Sequence, residues 1–156
     1  MKKLFIYYSH TGNGEQVASC FENKGYELRR VEEKKKMPKA FFFQMLVGGF
    51  RAGTNQKGQL VDYNNDVSEY DEVVIGSPIW NGKLPPAINA VLDKTDLKGK
   101  RIAFILYSGS GQGKKAVKKL VKMFGDTVNI IFLQEPKKYP EEFTKLNEFF
   151  NNQEAK

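Results

Sequence analysis

Apolar and polar positions along the chain follow two alternating rhythms, and the alternation predicts a repeated strand–helix order. Lys3-Leu4-Phe5-Ile6-Tyr7-Tyr8 is a short, nearly continuous apolar run, as expected of a strand covered on both faces. Glu15 to Asn23 then carries Val17, Ala18 and Phe21 at helical spacing, and Gly25 supplies the stop. Tyr26 to Val31 reads as a second strand. Met37 to Phe50, strongly apolar and interrupted by Gly48-Gly49, predicts a helix whose end is undefined, and the polar, aperiodic stretch from Arg51 to Asn65 a loop. Glu72-Val73-Val74-Ile75-Gly76 is the clearest strand in the chain. A helix over Pro86 to Lys94 opens on prolines, where a missing N–H costs little. Lys100 to Tyr107 predicts strand four, Gly113 to Phe124 a helix and Asp126 to Leu133 strand five. Tyr139 to Phe150 closes the chain as a helix with Phe143, Leu146, Phe149 and Phe150 on one face.

Strands alternating with helices over 156 residues predict one α/β domain spanning 1–156, a three-layer, doubly wound parallel sheet of five strands. Parallel neighbours require crossover connections, and these are right-handed in nearly all cases. Ligands of such sheets bind outside the carboxyl ends of the strands, where strand order reverses. The segments after strands one, three and four are therefore the places to look for chemistry.

Composition narrows the class. An apolar fraction of 40% with twelve Phe supplies a core, and no apolar run approaches the roughly 18 residues of a membrane span. The start, Met1-Lys2-Lys3, leads directly into a strand and lacks the features of a signal peptide. Cys20 is the only cysteine, so no internal disulfide forms, and a reducing cytoplasm is the expected setting. Its place in the first helix suits a small core residue. The net charge is +7 and the sequence pI about 9.4. Lys34-Lys35-Lys36 follows Glu32-Glu33, while Lys114, Lys115, Lys118, Lys119 and Lys122 share one predicted helix, both patterns of solvated faces. With no basic stripe interleaved with aromatics, a nucleic-acid partner is not expected.

The loop after strand one is Ser9-His10-Thr11-Gly12-Asn13-Gly14. Hydroxyls, an amide and glycines just ahead of a helix N-terminus form an anion site, because free N–H groups and the helix dipole converge there. No lysine or arginine lies in the loop, so neutral donors would hold a phosphate. The plainer alternative is a capping turn in which Thr11 or Asn13 satisfies the helix start. A rival motif also passes through: Gly12-Asn13-Gly14-Glu15-Gln16-Val17 is a partial G-x-G-x-x-G, with Glu32 and Glu33 about twenty residues on, near the ribose-binding acid of dinucleotide sites. Val17 stands where the third small residue belongs, and the Ser-His-Thr stretch is unexplained by it.

The second loop, Gly76-Ser77-Pro78-Ile79-Trp80-Asn81-Gly82-Lys83-Leu84-Pro85-Pro86, holds the only tryptophan. An aromatic on a stiffened loop offers a stacking platform for a flat heterocycle, and Asn81 and Gly82 offer backbone groups to its polar edge. The alternative is a Trp that packs the loop down. The third loop is Tyr107-Ser108-Gly109-Ser110-Gly111-Gln112-Gly113, whose small residues allow close backbone approach and otherwise read as flexible.

Together the three loops resemble those of the flavodoxin-like FMN-binding family. Ser9-His10-Thr11-Gly12-Asn13 resembles its phosphate loop, usually Ser/Thr-x-Thr-Gly-Asn-Thr. Val74 to Gly82 resembles the loop that flanks the isoalloxazine, and Ser108 to Gly113 falls where the pyrimidine-contacting loop does. The resemblance implies a 2-1-3-4-5 sheet, FMN as cofactor and electron transfer as activity. It implies FMN-binding roles for Ser9, His10, Thr11, Gly12, Asn13, Gly14, Ser77, Pro78, Ile79, Trp80, Asn81, Gly82, Ser108, Gly109, Ser110 and Gly113, with no catalytic acid or base and no metal. His10 fits an exposed, incidental position better than a proton donor.

Departures from that family are informative. Gly14 stands where a phosphate-binding threonine is usual, so one hydroxyl is missing and weaker binding is expected, with Gly14→Thr tightening it. The chain is basic where the electron carriers are acidic, which implies an unidentified redox partner of anionic character. The segment 41–50 is apolar where those carriers have a short helix. The leading expectation is an FMN electron-transfer protein. The alternatives are an NAD(P)H-dependent FMN or quinone reductase, and a domain that has lost FMN and binds a partner through 41–50.

Overall fold

The computed structural model describes residues 1–34, 40 and 57–154. The helix expected over Met37 to Phe50, its apolar 41–50 segment and the first part of the following loop lie outside the described residues. The described elements are β1 (Lys3–Tyr7), α1 (Asn13–Glu22), β2 (Glu27–Arg30), β3 (Glu72–Pro78), α2 (Pro86–Lys94), β4 (Arg101–Ser108), α3 (Lys114–Phe124), β5 (Asn129–Gln134) and α4 (Phe143–Glu154).

The strands form one parallel sheet in the order β2-β1-β3-β4-β5, as expected from the sequence. Period-2 alternation within each strand sorts its side chains onto two faces. Leu4, Ile6, Val73, Ile75, Phe104 and Leu106 point to one, where Ile88 and Val91 of α2 and Leu120 of α3 cover them. Phe5, Tyr7, Val74, Ala103, Ile105 and Tyr107 point to the other, under Val17 and Phe21 of α1 and Leu146, Phe149 and Phe150 of α4. The sheet is thus buried on both faces, which explains why β1, β3 and β4 read as unbroken apolar runs. Phe5 and Phe21 stack at 4.1 Å between centroids, and Phe150 meets Phe21 edge-on at 4.9 Å. Each such fully buried ring contributes about 2 kcal/mol of transfer free energy.

Several boundaries differ from the expectation, and the shifts at β3, β5 and the last helix each have a local cause. β3 runs on through Ser77 and Pro78, which lie opposite Leu106 and Tyr107 at the end of the ladder, where a proline is tolerated. β5 begins at Asn129, because Gly125 ends α3 at φ 88° and a turn returns the Val128 N–H to the Gly125 carbonyl. The last helix begins at Phe143, after a 3-10 turn over Pro140–Glu142. Glu142 spends its carboxylate on the Gln134 N–H and Lys145, tying that turn back to β5. The lysines of α3 are a solvated face: Lys114, Lys115, Lys118 and Lys122 are exposed, and Lys119 donates to Asn89 at 2.7 Å. Among the described residues, no helix is long and apolar enough to cross a membrane.

Strand order reverses at β1, which pairs with β2 on one side and β3 on the other. The carboxyl ends of β1 and β3 are therefore the point at which doubly wound sheets bind their ligands.

Candidate functional site

At the carboxyl end of β1 the backbone is held from two sides before it turns. The Tyr8 N–H donates to the Gly76 carbonyl at 3.1 Å, and the Tyr8 carbonyl accepts the Tyr107 hydroxyl. Ser9 follows, buried; its hydroxyl donates to the Glu15 carboxylate and accepts the Gly14 N–H at 3.1 Å. Helix α1 starts from Gly12 at φ 94°, a left-handed conformation that glycine adopts without strain, and no side chain caps it. Neither Thr11 nor Asn13 serves as the capping residue considered above. Thr11 accepts the Asn13 side-chain N–H at 3.2 Å, and the Asn13 carbonyl oxygen Oδ1 accepts the backbone N–H of Lys137 at 3.0 Å.

Gly14 corrects the sequence expectation. A Cβ there would lie 2.5 Å from the Ser9 Cβ and 2.7 Å from the Tyr107 hydroxyl oxygen, so the position has no room for a threonine. Its hydrogen belongs to the close packing that brings Ser9 under the helix start. The loop is also less neutral than its own composition implies. Glu15 pairs with Arg30 at 3.0 Å. Lys137, from the turn after β5, lays its ammonium 3.2 Å from where a Gly12 Cβ would stand.

The second loop is a tight hairpin. Trp80 and Lys83 exchange backbone hydrogen bonds at 2.9 and 3.0 Å around Asn81 and Gly82, at φ 51° and 76°. Two positive φ values in a two-residue connection are what Asn-Gly favours. The Gly82 carbonyl accepts the Ala116 N–H at 2.9 Å, which staples the hairpin to α3 and commits one of the carbonyls expected to face a ligand. Ser77 is fully buried and donates to the Pro78 carbonyl at 2.8 Å, and the Ile79 N–H reaches the Tyr107 carbonyl at 3.0 Å. Trp80 is 4% exposed and meets Tyr8 edge-on at 5.8 Å. Trp80 is therefore packed against the first loop as well as carried on the second. His10 is half-buried rather than exposed, edge-on to Trp80 at 6.1 Å, so it joins the first loop to the second.

The third loop is a hydrogen-bonded turn rather than a slack linker. The Ser108 hydroxyl accepts the Gln112 N–H at 3.1 Å, and its carbonyl accepts the Glu135 N–H at 3.1 Å. Gly109 and Ser110 form an exposed tip, with the Gly109 carbonyl held by the Gln134 side chain at 3.1 Å. Gly113 is buried ahead of α3, with Ile79 of the second loop 3.2 Å from where its Cβ would be.

The structure thus brings all three predicted loops to one edge of the sheet. The residue that joins them is Tyr107, which sequence reasoning passed over. Its hydroxyl reaches the Tyr8 carbonyl and borders Gly14, its carbonyl holds Ile79, and Ser108 follows it. Burial, with the Glu15 charge adding, holds its phenol well above the ordinary range, so it remains a neutral donor. A tyrosine at the end of a buried strand, with a polar tip that needs a partner, was the available signal. Lys137 could have been found by applying the strand-end rule to β5 as well as to β1, β3 and β4.

The first loop fits a phosphate. Gly12 carries no side chain, Thr11 presents an exposed hydroxyl, no side chain caps the start of α1 and an ammonium stands beside Gly12. Residues 1–139 match the family described as NADPH-dependent FMN reductase. No curated protein matches the chain. Among solved structures, the chain is similar to a candidate flavoprotein of Bacteroides uniformis, with 25% identity, a TM-score of 0.70, and 83% of this chain and 85% of that one covered. A candidate flavoprotein of Bacteroides eggerthii gives 23%, 0.68, 83% and 84%. A flavoprotein of Lactobacillus acidophilus, solved in complex with FMN, gives 21%, 0.59, 90% and 97%; at these lower identities the likeness is one of fold.

Proposed function

The chain belongs to the NADPH-dependent FMN reductase family, with FMN as its flavin, and from that premise we propose that it is an NADPH-dependent oxidoreductase rather than the stand-alone electron carrier its phosphate loop first suggested. The observation that carries the reading is the extent of the family match. Residues 1–139 include all three loops and the turn that holds Lys137. Bound at this edge, FMN would supply the redox chemistry between NADPH and an acceptor.

The chain's own part is to bind and orient. Ser9, Thr11, Gly12, Asn13 and Gly14 would hold the phosphate at the start of α1, with His10 packing that loop onto Trp80. Ser77, Pro78, Ile79, Asn81 and Gly82, with Ser108, Gly109, Ser110 and Gly113, would hold the ring, with Trp80 packed within the hairpin loop. No side-chain acid or base is needed for hydride transfer, which agrees with a site of hydroxyls, amides and backbone groups. A reducing cytoplasm, where Cys20 stays a thiol, goes with this reading. The onward acceptor is an anionic small molecule or protein that meets the basic surface.

The test is steady-state NADPH oxidation by the FMN-loaded protein with a quinone acceptor. Turnover above a free-FMN blank is expected. A yellow protein, absorbing near about 450 nm, that consumes no NADPH would return the electron-carrier reading. A colourless protein that ignores added FMN would overturn both.

A further inference from the structure

We propose that Lys137 is the charge-bearing ligand of the FMN phosphate, so that this chain selects FMN over unphosphorylated flavin through an ammonium delivered from the turn after β5. The inference rests on the FMN reading above and adds a residue that the loop motif does not contain.

Lys137 approaches Gly12 so closely that a Cβ on that glycine would lie 3.2 Å from the ammonium and 3.5 Å from the side-chain Cδ. The side chain therefore lies along the phosphate loop while remaining exposed to solvent. Its backbone is fastened to the same loop, because the Lys137 N–H donates to Asn13 Oδ1 at 3.0 Å. Behind it, Pro136 is buried and the Lys138 and Tyr139 N–H groups both return to the Glu135 carbonyl, which makes the turn compact. Nearby carboxylates have other partners. Glu15 pairs with Arg30, Glu135 with Lys138 and Glu142 with Lys145. Among the described residues, no carboxylate pairs with Lys137.

A phosphate monoester carries about 1.5 to 2 negative charges at neutral pH. A loop of hydroxyls and backbone N–H groups solvates that charge without compensating it, and Gly14 contributes no side-chain donor. A single ammonium placed beside the loop supplies a charge-assisted contact, about twice as strong as a neutral one. It acts on the phosphate alone, since the ring binds at the other two loops.

The experiment is a pair of titrations, FMN and riboflavin, into apo-protein at low and moderate NaCl, read by flavin fluorescence. Wild type, Lys137→Gln and Lys137→Arg are compared. Lys137→Gln is expected to weaken FMN about tenfold while riboflavin changes less than about twofold, with a shallower salt dependence for FMN. Lys137→Arg should restore most of the loss. Because Lys137 is exposed, apo Lys137→Gln should unfold at the wild-type temperature. Unchanged FMN affinity in Lys137→Gln, or an equal loss for both flavins, overturns the proposal and leaves the FMN reading standing. A wild-type protein that binds neither flavin overturns both together.

Discussion

A buried carboxylate and a half-buried one stand at opposite ends of the sheet, and the chain treats them differently. Glu72 opens β3 at the amino edge, with its side chain 2% exposed. One of its oxygens accepts the Tyr26 hydroxyl and the other meets Arg101 at 2.8 Å, so both are engaged. Glu33 follows β2 at the carboxyl edge, near the start of α2, and accepts the Ala87 N–H. Its Oε1 is buried with no hydrogen-bond partner among the described residues. At the amino edge, charge is matched inside the protein, as a structural network must be. At the carboxyl edge, a Glu33 carboxylate oxygen has no hydrogen-bond partner and the Lys137 ammonium no carboxylate partner among the described residues. With the proposed FMN site at the carboxyl edge, stability and ligand binding would reside at separate ends of the same strands.

The severest challenge to that division comes from Trp80, which belongs to the site by sequence and to the core by structure. Trp80→Ala should cost about 3–5 kcal/mol, the usual cost of emptying a buried indole, as measured by urea unfolding. If stability is kept and only FMN binding falls, the indole is a stacking platform and the division fails at that residue. Glu72→Ala comes next. It strands the Tyr26 hydroxyl and leaves Arg101 without its carboxylate. A loss of about 2 kcal/mol is expected, less than for a wholly buried pair because Arg101 reaches water. FMN affinity of the folded fraction should be unchanged, since Glu72 lies a full strand away from the loops. A changed affinity would couple the two ends.

Gly14 shows most clearly what the sequence could and could not carry. The strand–helix alternation and all three loops were legible, because alternation, helical spacing and glycine-rich strand ends are local signals, whereas the strand order came only through the family resemblance. Gly14 looked like a threonine lost, since a motif records residue types and not the space around them. That space is set by Ser9, five residues back, and by Tyr107 on β4. The contact with Tyr107 depends on β1–β3–β4 register, which no local pattern contains. Lys137 was hidden for the same reason, because it reaches Gly12 only through the placement of β5. The consequence is a reversed prediction: Gly14→Thr should destabilise by about 1–3 kcal/mol through overpacking and weaken FMN. Tighter FMN binding by that variant would show that Ser9 and Tyr107 yield, and would restore the motif reading.

The smallest effect tests the unmatched carboxylate itself. Burial pushes the Glu33 carboxyl up from its ordinary value of 4.5, against the opposing pull of the Ala87 N–H. A carboxyl raised in the folded state contributes stability that is complete below its unfolded pKa and is lost as pH rises through the folded one. Glu33→Gln removes that pH dependence while keeping an acceptor oxygen for Ala87. The stability of the variant relative to wild type should therefore improve as pH rises from about 4 to about 7, whatever the offset between the two curves. The opposite slope would mean that the helix start favours the ionised carboxylate more than burial penalises it. Glu33 would then be a matched anion like Glu72, and the contrast between the two ends would rest on Lys137 alone.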